Sequence, residues 1–236
     1  AGNGYIVKYN SSGTLQWQKQ VTGGLASSFP RLRNITTDSS GNVYVVGDAD
    51  DTAGSNTQMF YLQLDSTGAV LTNSGLVPSA GGALYGSGYG IAVDSSGNVY
   101  IAGGQLYDST LGAYPAIVAK FTGGSVVWKR ALTFAGGSNP AVSLALDSSN
   151  NVYVSIPSYG DNGSYYGASI VKYNSSGTLQ WQRAVISPKT NIYPSYGMGV
   201  NSTTNQLFFN IFKIIRVIYY HTLFLFSYSS YLLCSY

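Results

Sequence analysis

Asp38-Ser-Ser-Gly-Asn-Val-Tyr-Val-Val-Gly47 decides the fold, because it does not stand alone. It returns as Asp94-Ser-Ser-Gly-Asn-Val-Tyr-Ile-Ala-Gly103 and as Asp147-Ser-Ser-Asn-Asn-Val-Tyr-Val-Ser155, and faintly as Asn201-Ser-Thr-Thr-Asn-Gln-Leu-Phe-Phe209. A second motif interleaves with it. Ile6-Val-Lys-Tyr-Asn-Ser-Ser-Gly-Thr-Leu-Gln-Trp-Gln-Lys19 is nearly identical to the stretch from Ile170 to Arg183, and degenerate copies run from Tyr61 to Thr72 and from Ile117 to Arg130. Its glycine falls at 13, 68, 124 and 177, so the spacings are 55, 56 and 53. Self-similarity at a fixed long period is the mark of a repeat architecture.

Each motif reads as a hairpin: two short β-prone runs joined by turn residues. Asp38, Asp94 and Asp147 open the first turn, where a carboxylate can accept hydrogen bonds from nearby backbone N–H groups. Gly41 and Gly97 supply the left-handed residue that leads into the next strand. The third copy has Asn150 there, and Asn is the next best residue for that conformation. The fourth has Thr204, a poor fit, and the motif decays from that point.

Two hairpins per repeat make one four-stranded antiparallel sheet. The expected fold is therefore all-β, a β-propeller built of such sheets as blades. With strands A to D in each blade, the chain opens on C and D (residues 5–19). Full blades follow near 34–73, 89–132 and 142–186, and a decayed A and B end the repeat region at 198–209. The propeller then spans 1–209, three full blades plus two partial ones, and a hydrophobic aromatic tail occupies 210–236.

The run Ile-Ala-Val-Asp-Ser-Ser-Gly-Asn-Val-Tyr-Ile-Ala-Gly, followed by Ile-Val-Lys-Tyr-Asn-Ser-Ser-Gly-Thr-Leu-Gln-Trp, resembles the SBBP-type β-propeller repeat. That family occurs in secreted bacterial and phage proteins. The resemblance covers roughly 1–207 and implies a fold without implying an activity. The Asn-Ser-Ser-Gly-Thr-Leu-Gln-Trp-Gln-Arg phrase is also similar to repeats in virion and tail-fibre proteins of phages. Together these imply an extracellular or virion-surface setting.

Composition narrows the function classes. The chain has 236 residues, 29 Gly, 21 Tyr, a net charge of +3 and no Glu. So few charged residues argue against solvated helical bundles. No basic run marks a nucleic-acid footprint. His221 and Cys234 are the lone His and Cys. A nucleophilic triad is thereby excluded from residues 1–220, as is a site built on several histidines. No cofactor motif is present, and a membrane partner is not expected.

Trp17, Trp128 and Trp181 share one position on strand D, with Leu15, Val126 and Leu179 two residues earlier. Alternation along a strand places both sets on one face. Recurrence at one structural position favours packing between adjacent blades over a ligand-stacking ladder. Thr72 replaces the Trp in the second copy, so that blade edge is expected to pack less well. The Asp38, Asp94 and Asp147 series reads as turn capping and not as a catalytic array. Asp48, Asp50 and Asp51 lie outside the repeat; they are candidate calcium ligands, against the simpler reading of a solvated acidic loop.

The A–B and C–D turns are short and alike in every repeat. The B–C connections (48–58, 104–115 and 156–168) and the D–A connections (20–33, 73–88, 133–141 and 187–197) are long and unlike one another, and both sets emerge on one face. Loops that vary between uniform repeats mark a binding surface. They carry Tyr85, Tyr89, Tyr107, Tyr114, Tyr159, Tyr165, Tyr166, Tyr193 and Tyr196. Tyr gives large amphipathic contacts at low entropic cost. The expected function is a non-catalytic structural and binding module for a protein or glycan surface, working beside further blades of a longer chain. The alternatives are a lectin-like propeller or a propeller enzyme fragment whose catalytic part lies elsewhere.

The last 29 residues, Phe208 to Tyr236, hold five Phe and five Tyr and no Gly, Asp or Pro. Three readings stand: a membrane helix over about 217–236, a closing element packed on the propeller, or sequence read out of frame from AT-rich codons.

Overall fold

The computed structural model describes residues 4–21, 30–50, 57–75, 86–105, 114–133, 141, 143–159, 165–186, 192–201, 204, 206–219 and 222–231. β1 (Gly4–Tyr9) and β2 (Leu15–Val21) form a two-stranded sheet. Three four-stranded meanders follow. The first holds β3 (Arg31–Thr37), β4 (Val43–Asp50), β5 (Thr57–Leu64) and β6 (Val70–Gly75). The second holds β7 (Gly86–Val93), β8 (Val99–Gln105), β9 (Ala116–Thr122) and β10 (Ser125–Leu132). The third holds β11 (Ser143–Leu146), β12 (Val152–Tyr159), β13 (Tyr165–Tyr173) and β14 (Leu179–Ile186). β15 (Ile192–Val200), β16 (Leu207–Tyr219) and β17 (Thr222–Tyr231) make a three-stranded sheet.

The A strands meet their counterparts, β3 against β7, β7 against β11 and β11 against β15, so the sheets are arranged as blades about an inner line of A strands. This is the β-propeller architecture, with three full blades and two partial ones. No strand pairing joins the partial blades among the described residues. β16 continues past residue 209 and pairs with β17 across the aromatic tail. Among the described residues no helix is long and apolar enough to cross a membrane.

The A–B turns are built by one side chain each. Asp94 Oδ1 accepts from the backbone N–H groups of Ser96 (3.0 Å) and Asn98 (2.9 Å). Its Oδ2 accepts from Asn98 Nδ2 (2.8 Å) and from the Tyr100 hydroxyl (3.1 Å). Asp38 with Asn42 and Tyr44, and Asp147 with Asn151 and Tyr153, repeat the pattern. The Asp, the Asn four residues on and the Tyr six residues on thus form one unit that ties the turn to strand B. Gly41 and Gly97 adopt φ 79° and 78°, and Asn150 adopts φ 58°, the left-handed conformation expected of it. The fourth turn closes one residue later, with Asn201 N–H donating to Gln206 O at 2.9 Å, where Asp94 N–H reaches Asn98 O. Its extra residue removes the need for a left-handed Thr204.

The turn carboxyls and the buried tyrosines set the pH limits of the fold. Burial alone pushes the Asp94 and Asp147 carboxyls up, but the hydrogen bonds they accept outweigh it and leave both below 3.8. A depressed carboxyl stabilises the fold above its unfolded value, and that contribution is lost as pH falls through the folded one. Burial raises the Tyr44 and Tyr173 hydroxyls from 10.0 to about 12. A raised phenol stabilises fully below the unfolded value and is lost as pH climbs towards the folded one. Thermal melts across pH are therefore expected to be flat between about 5 and 9, with Tm falling below pH 4 and again above pH 10.

Blades are joined through the tryptophans. Trp17 Nε1 donates to Ser66 O (3.0 Å), and Trp128 Nε1 donates to Ser175 O (3.1 Å). Each acceptor belongs to the C–D turn of the next blade. The rings lie over the turn glycines, and a Cβ built on Gly68 or Gly177 would sit 3.0 or 2.7 Å from the nearest ring atom of Trp17 or Trp128. Trp128 also meets Tyr100 and Tyr173, with ring centroids 6.2 Å away in each case. Where Thr72 replaces the Trp, Ser74 Oγ donates to Gly124 O at 2.6 Å and keeps a hydrogen bond between the blades.

Leu15, Val126 and Leu179 do not share the tryptophan face. Leu15 stands opposite Tyr9 while Trp17 stands opposite Lys8, with Gln16 inserted between them as a bulge. The same slip recurs in β10 and β14. Because Lys8 and Tyr9 are adjacent and point to opposite faces, so do their partners. The three aliphatic residues are consequently half-exposed.

Candidate functional site

The four-stranded meander puts all A–B and C–D turns at one end of the blades and all B–C and D–A connections at the other. At this second end the A strands are bulged. The register of β3 against β4 slips between Leu32 and Asn34, and that of β7 against β8 slips between Gly88 and Gly90. The inserted residues are Arg33 and Tyr89, each five positions before its turn Asp. β15 slips between Pro194 and Met198, the stretch that holds Tyr196. Bulges re-aim side chains and recur near functional sites.

Arg33 and Tyr89 come from adjacent blades and meet. The guanidinium carbon lies 5.1 Å from the Tyr89 ring centroid, a cation–π contact. Asn34 Nδ2 donates to Tyr89 O at 2.9 Å and fixes the junction. Arg33 Nε donates to Asp48 Oδ1 at 2.7 Å, and Arg31 Nε donates to Asp48 Oδ2. Asp48 is fully buried. The hydrogen bond to Asp48 raises the Arg33 guanidinium further, against the lowering effect of burial. The cluster therefore offers a fixed cationic and aromatic surface at the mouth between two blades, with one carboxylate beneath two guanidinium groups.

Asp48 is not part of a solvated loop: the side chain is buried and each of its oxygens accepts from a guanidinium. Asp50 ends β4, and Asp51 lies outside the described residues. Among the described residues no group of three or more His, Cys, Asp or Glu side chains is placed to hold a metal ion.

Of the candidate tyrosines, Tyr89 joins the arginine cluster and Tyr114 is exposed just before β9. Tyr159 and Tyr165 are cross-strand partners at the end of β12 and β13, with Tyr166 next in line. Tyr193 and Tyr196 lie on β15. Tyr85 and Tyr107 fall outside the described residues. Sequence reasoning missed Arg31 and Arg33. Their signal was two cations at alternate positions in a chain with only 12 Lys and Arg.

The fold and this end-on site define a β-propeller repeat chain. Residues 16–52 and 79–103 match the SBBP Beta-propeller repeat. Comparison with curated proteins found no match. Among solved structures the fold is similar to the Trypanosoma rangeli sialidase in complex with sialic acid. The TM-score there is 0.50 at 12% identity, over 97% of this chain and 40% of the sialidase. It is also similar to the subtype N11 neuraminidase-like protein of A/flat-faced bat/Peru/033/2010 (H18N11), with TM-score 0.48 and 14% identity over 99% of this chain and 67% of that one. The endo-arabinase from Bacteroides thetaiotaomicron gives a TM-score of 0.42 at 13% identity, over 93% and 81%. At such identities the likeness concerns the fold alone.

Proposed function

We propose that the chain is a non-catalytic binding module that engages a glycan or protein surface through the end where the B–C and D–A connections emerge, in an extracellular or virion-surface protein. The observation that carries this reading is the contrast between the two ends of the blades. One end is a set of near-identical turns held by Asp, Asn and Tyr. The other varies from blade to blade, carries the A-strand bulges and gathers Arg31, Arg33, Asp48 and Tyr89. The cation–aromatic platform supplies donors and a flat apolar face, which suits sugar hydroxyls and ring C–H groups or a polar protein patch. Asp48 is engaged by two guanidinium groups, which favours binding over acid–base work at this cluster. A carbohydrate partner is in keeping, as a fold-level analogy only, with the sialidase in complex with sialic acid.

The test is a Tyr165→Ala, Tyr166→Ala double variant compared with the parent chain on a glycan array. Retention is expected to fall by about 10-fold or more, with Tm unchanged. Loss of Tm together with retention would make these tyrosines structural.

A further inference from the structure

The copies of the repeat differ at the residues that build the arginine cluster. Arg33 stands five positions before its turn Asp, and the same place holds Tyr89 and Val142 in the other two blades. Arg31 stands seven before, where the others have Ser87 and Pro140. Asp48 stands ten after, where the others have Gly104 and Pro157. A blade of this repeat therefore forms without the cluster, which is an addition to the first blade and no requirement of the fold.

Arg33 is fixed through one part of its guanidinium. Its Nε donates to Asp48 Oδ1 at 2.7 Å, and the group lies against the Tyr89 ring of the next blade. The far edge of the guanidinium, the fork of Nη1 and Nη2, makes no hydrogen bond among the described residues, and the side chain is 34% exposed. Asp48 holds this group without cancelling its charge. The one buried carboxylate is shared between the Nε groups of Arg31 and Arg33, and the Arg31 charge acts against that of Arg33. Two like charges held side by side over one carboxylate are stabilised further by a second anion.

We propose that the Nη fork of Arg33 is an anion subsite, and that it takes the carboxylate of an acidic sugar of the uronate kind. The proposal rests on the reading that this end of the blades is a binding surface. The fork is planar and matches a planar carboxylate through two parallel N–H···O bonds. The Tyr89 ring at the same junction gives apolar contact to the sugar ring that carries the carboxylate. A fork pre-set by Asp48 and Tyr89 loses little freedom when the ligand arrives.

The experiment titrates the intact chain with oligogalacturonate and with its methyl ester, which keeps the rings and linkages and removes the charge. The acid is expected to bind about 10-fold more tightly than the ester or better, and to slow hydrogen exchange across Leu32–Asn34. Arg33→Gln is expected to bring acid and ester to equal affinity. Arg33→Lys keeps the charge without the fork and is expected to fall between the two. The comparison of acid with ester on the parent chain does not depend on either variant folding. Equal binding of acid and ester by the parent chain would overturn the proposal and leave this end a surface for neutral glycans. A preference for the acid that survives Arg33→Gln in a folded variant would overturn it by placing the anion subsite elsewhere. Displacement of oligogalacturonate by polyglutamate at the same affinity would overturn it in favour of an acidic peptide. Binding of neither probe would overturn it too, and the glycan array with the Tyr165→Ala, Tyr166→Ala variant then decides the broader reading separately.

Discussion

Gly103→Ala is expected to destabilise the protein by about 3 kcal/mol, seen as a shift of the urea midpoint at unchanged slope. A Cβ at this position would lie 2.1 Å from Ser87 O and 2.5 Å from Met59 Cε, and the first of these is backbone. The crowding arises because β7 carries its bulge at Tyr89, directly beside the pair Gly88 and Gly103. The first blade has the same arrangement, with Gly47 opposite Leu32 beside the bulge at Arg33, and a Cβ there would lie 2.1 Å from Arg31 O. The third blade supplies the natural control. Its equivalent position is Ile156, fully buried, and β11 pairs with β12 only as far as Ser143 opposite Ser155. Among the described residues the A-strand pairing stops short of Ile156, and a large side chain is accommodated there. Gly97→Ala should be milder, since only its left-handed φ opposes the change.

Trp128→Ala should be of similar or larger size, about 3–5 kcal/mol. The ring is almost fully buried between Tyr100 of its own blade and Tyr173 of the next, and its indole N–H is satisfied by Ser175 O. Truncation opens a cavity at the junction of the second and third blades and leaves that carbonyl without its donor. Trp17→Ala should matter less, because Trp17 is only half-buried between the two-stranded sheet and the first blade. Chemical denaturation of both variants gives the ranking directly. Equal losses would contradict the view that the full blades form the core of the stack.

The blade pattern was legible in the sequence because it is repeated. Asp38, Asp94 and Asp147 could be assigned to turns by their common place, and Asn150 could be assigned a left-handed conformation because Gly stands at the same place twice. The bulges were not legible. One inserted residue per D strand turns Leu15, Val126 and Leu179 away from the tryptophan face, and strict alternation gives no warning of it. The bulges in β3 and β7 have the same character. The β3 bulge brings Arg33 onto Tyr89 of the next blade and onto Asp48, which Arg31 also meets, a four-residue arrangement that spans two blades. A run of acidic residues after a strand therefore looked like a metal loop, although its first member belongs to an ion-pair cluster beneath the mouth of the blades. Ser74 shows the same limit, since its bond to Gly124 O compensates for Thr72 from a position outside the motif.

The most direct test of the central claim is to incubate the intact chain with an immobilised glycan array that includes sialosides, measuring both retention of the chain and the mass of every glycan afterwards. A binding module that uses the variable end of its blades predicts retention on a subset of spots, sensitive to Tyr165→Ala with Tyr166→Ala, and no change in any glycan mass. Release of sugar from any spot would contradict it.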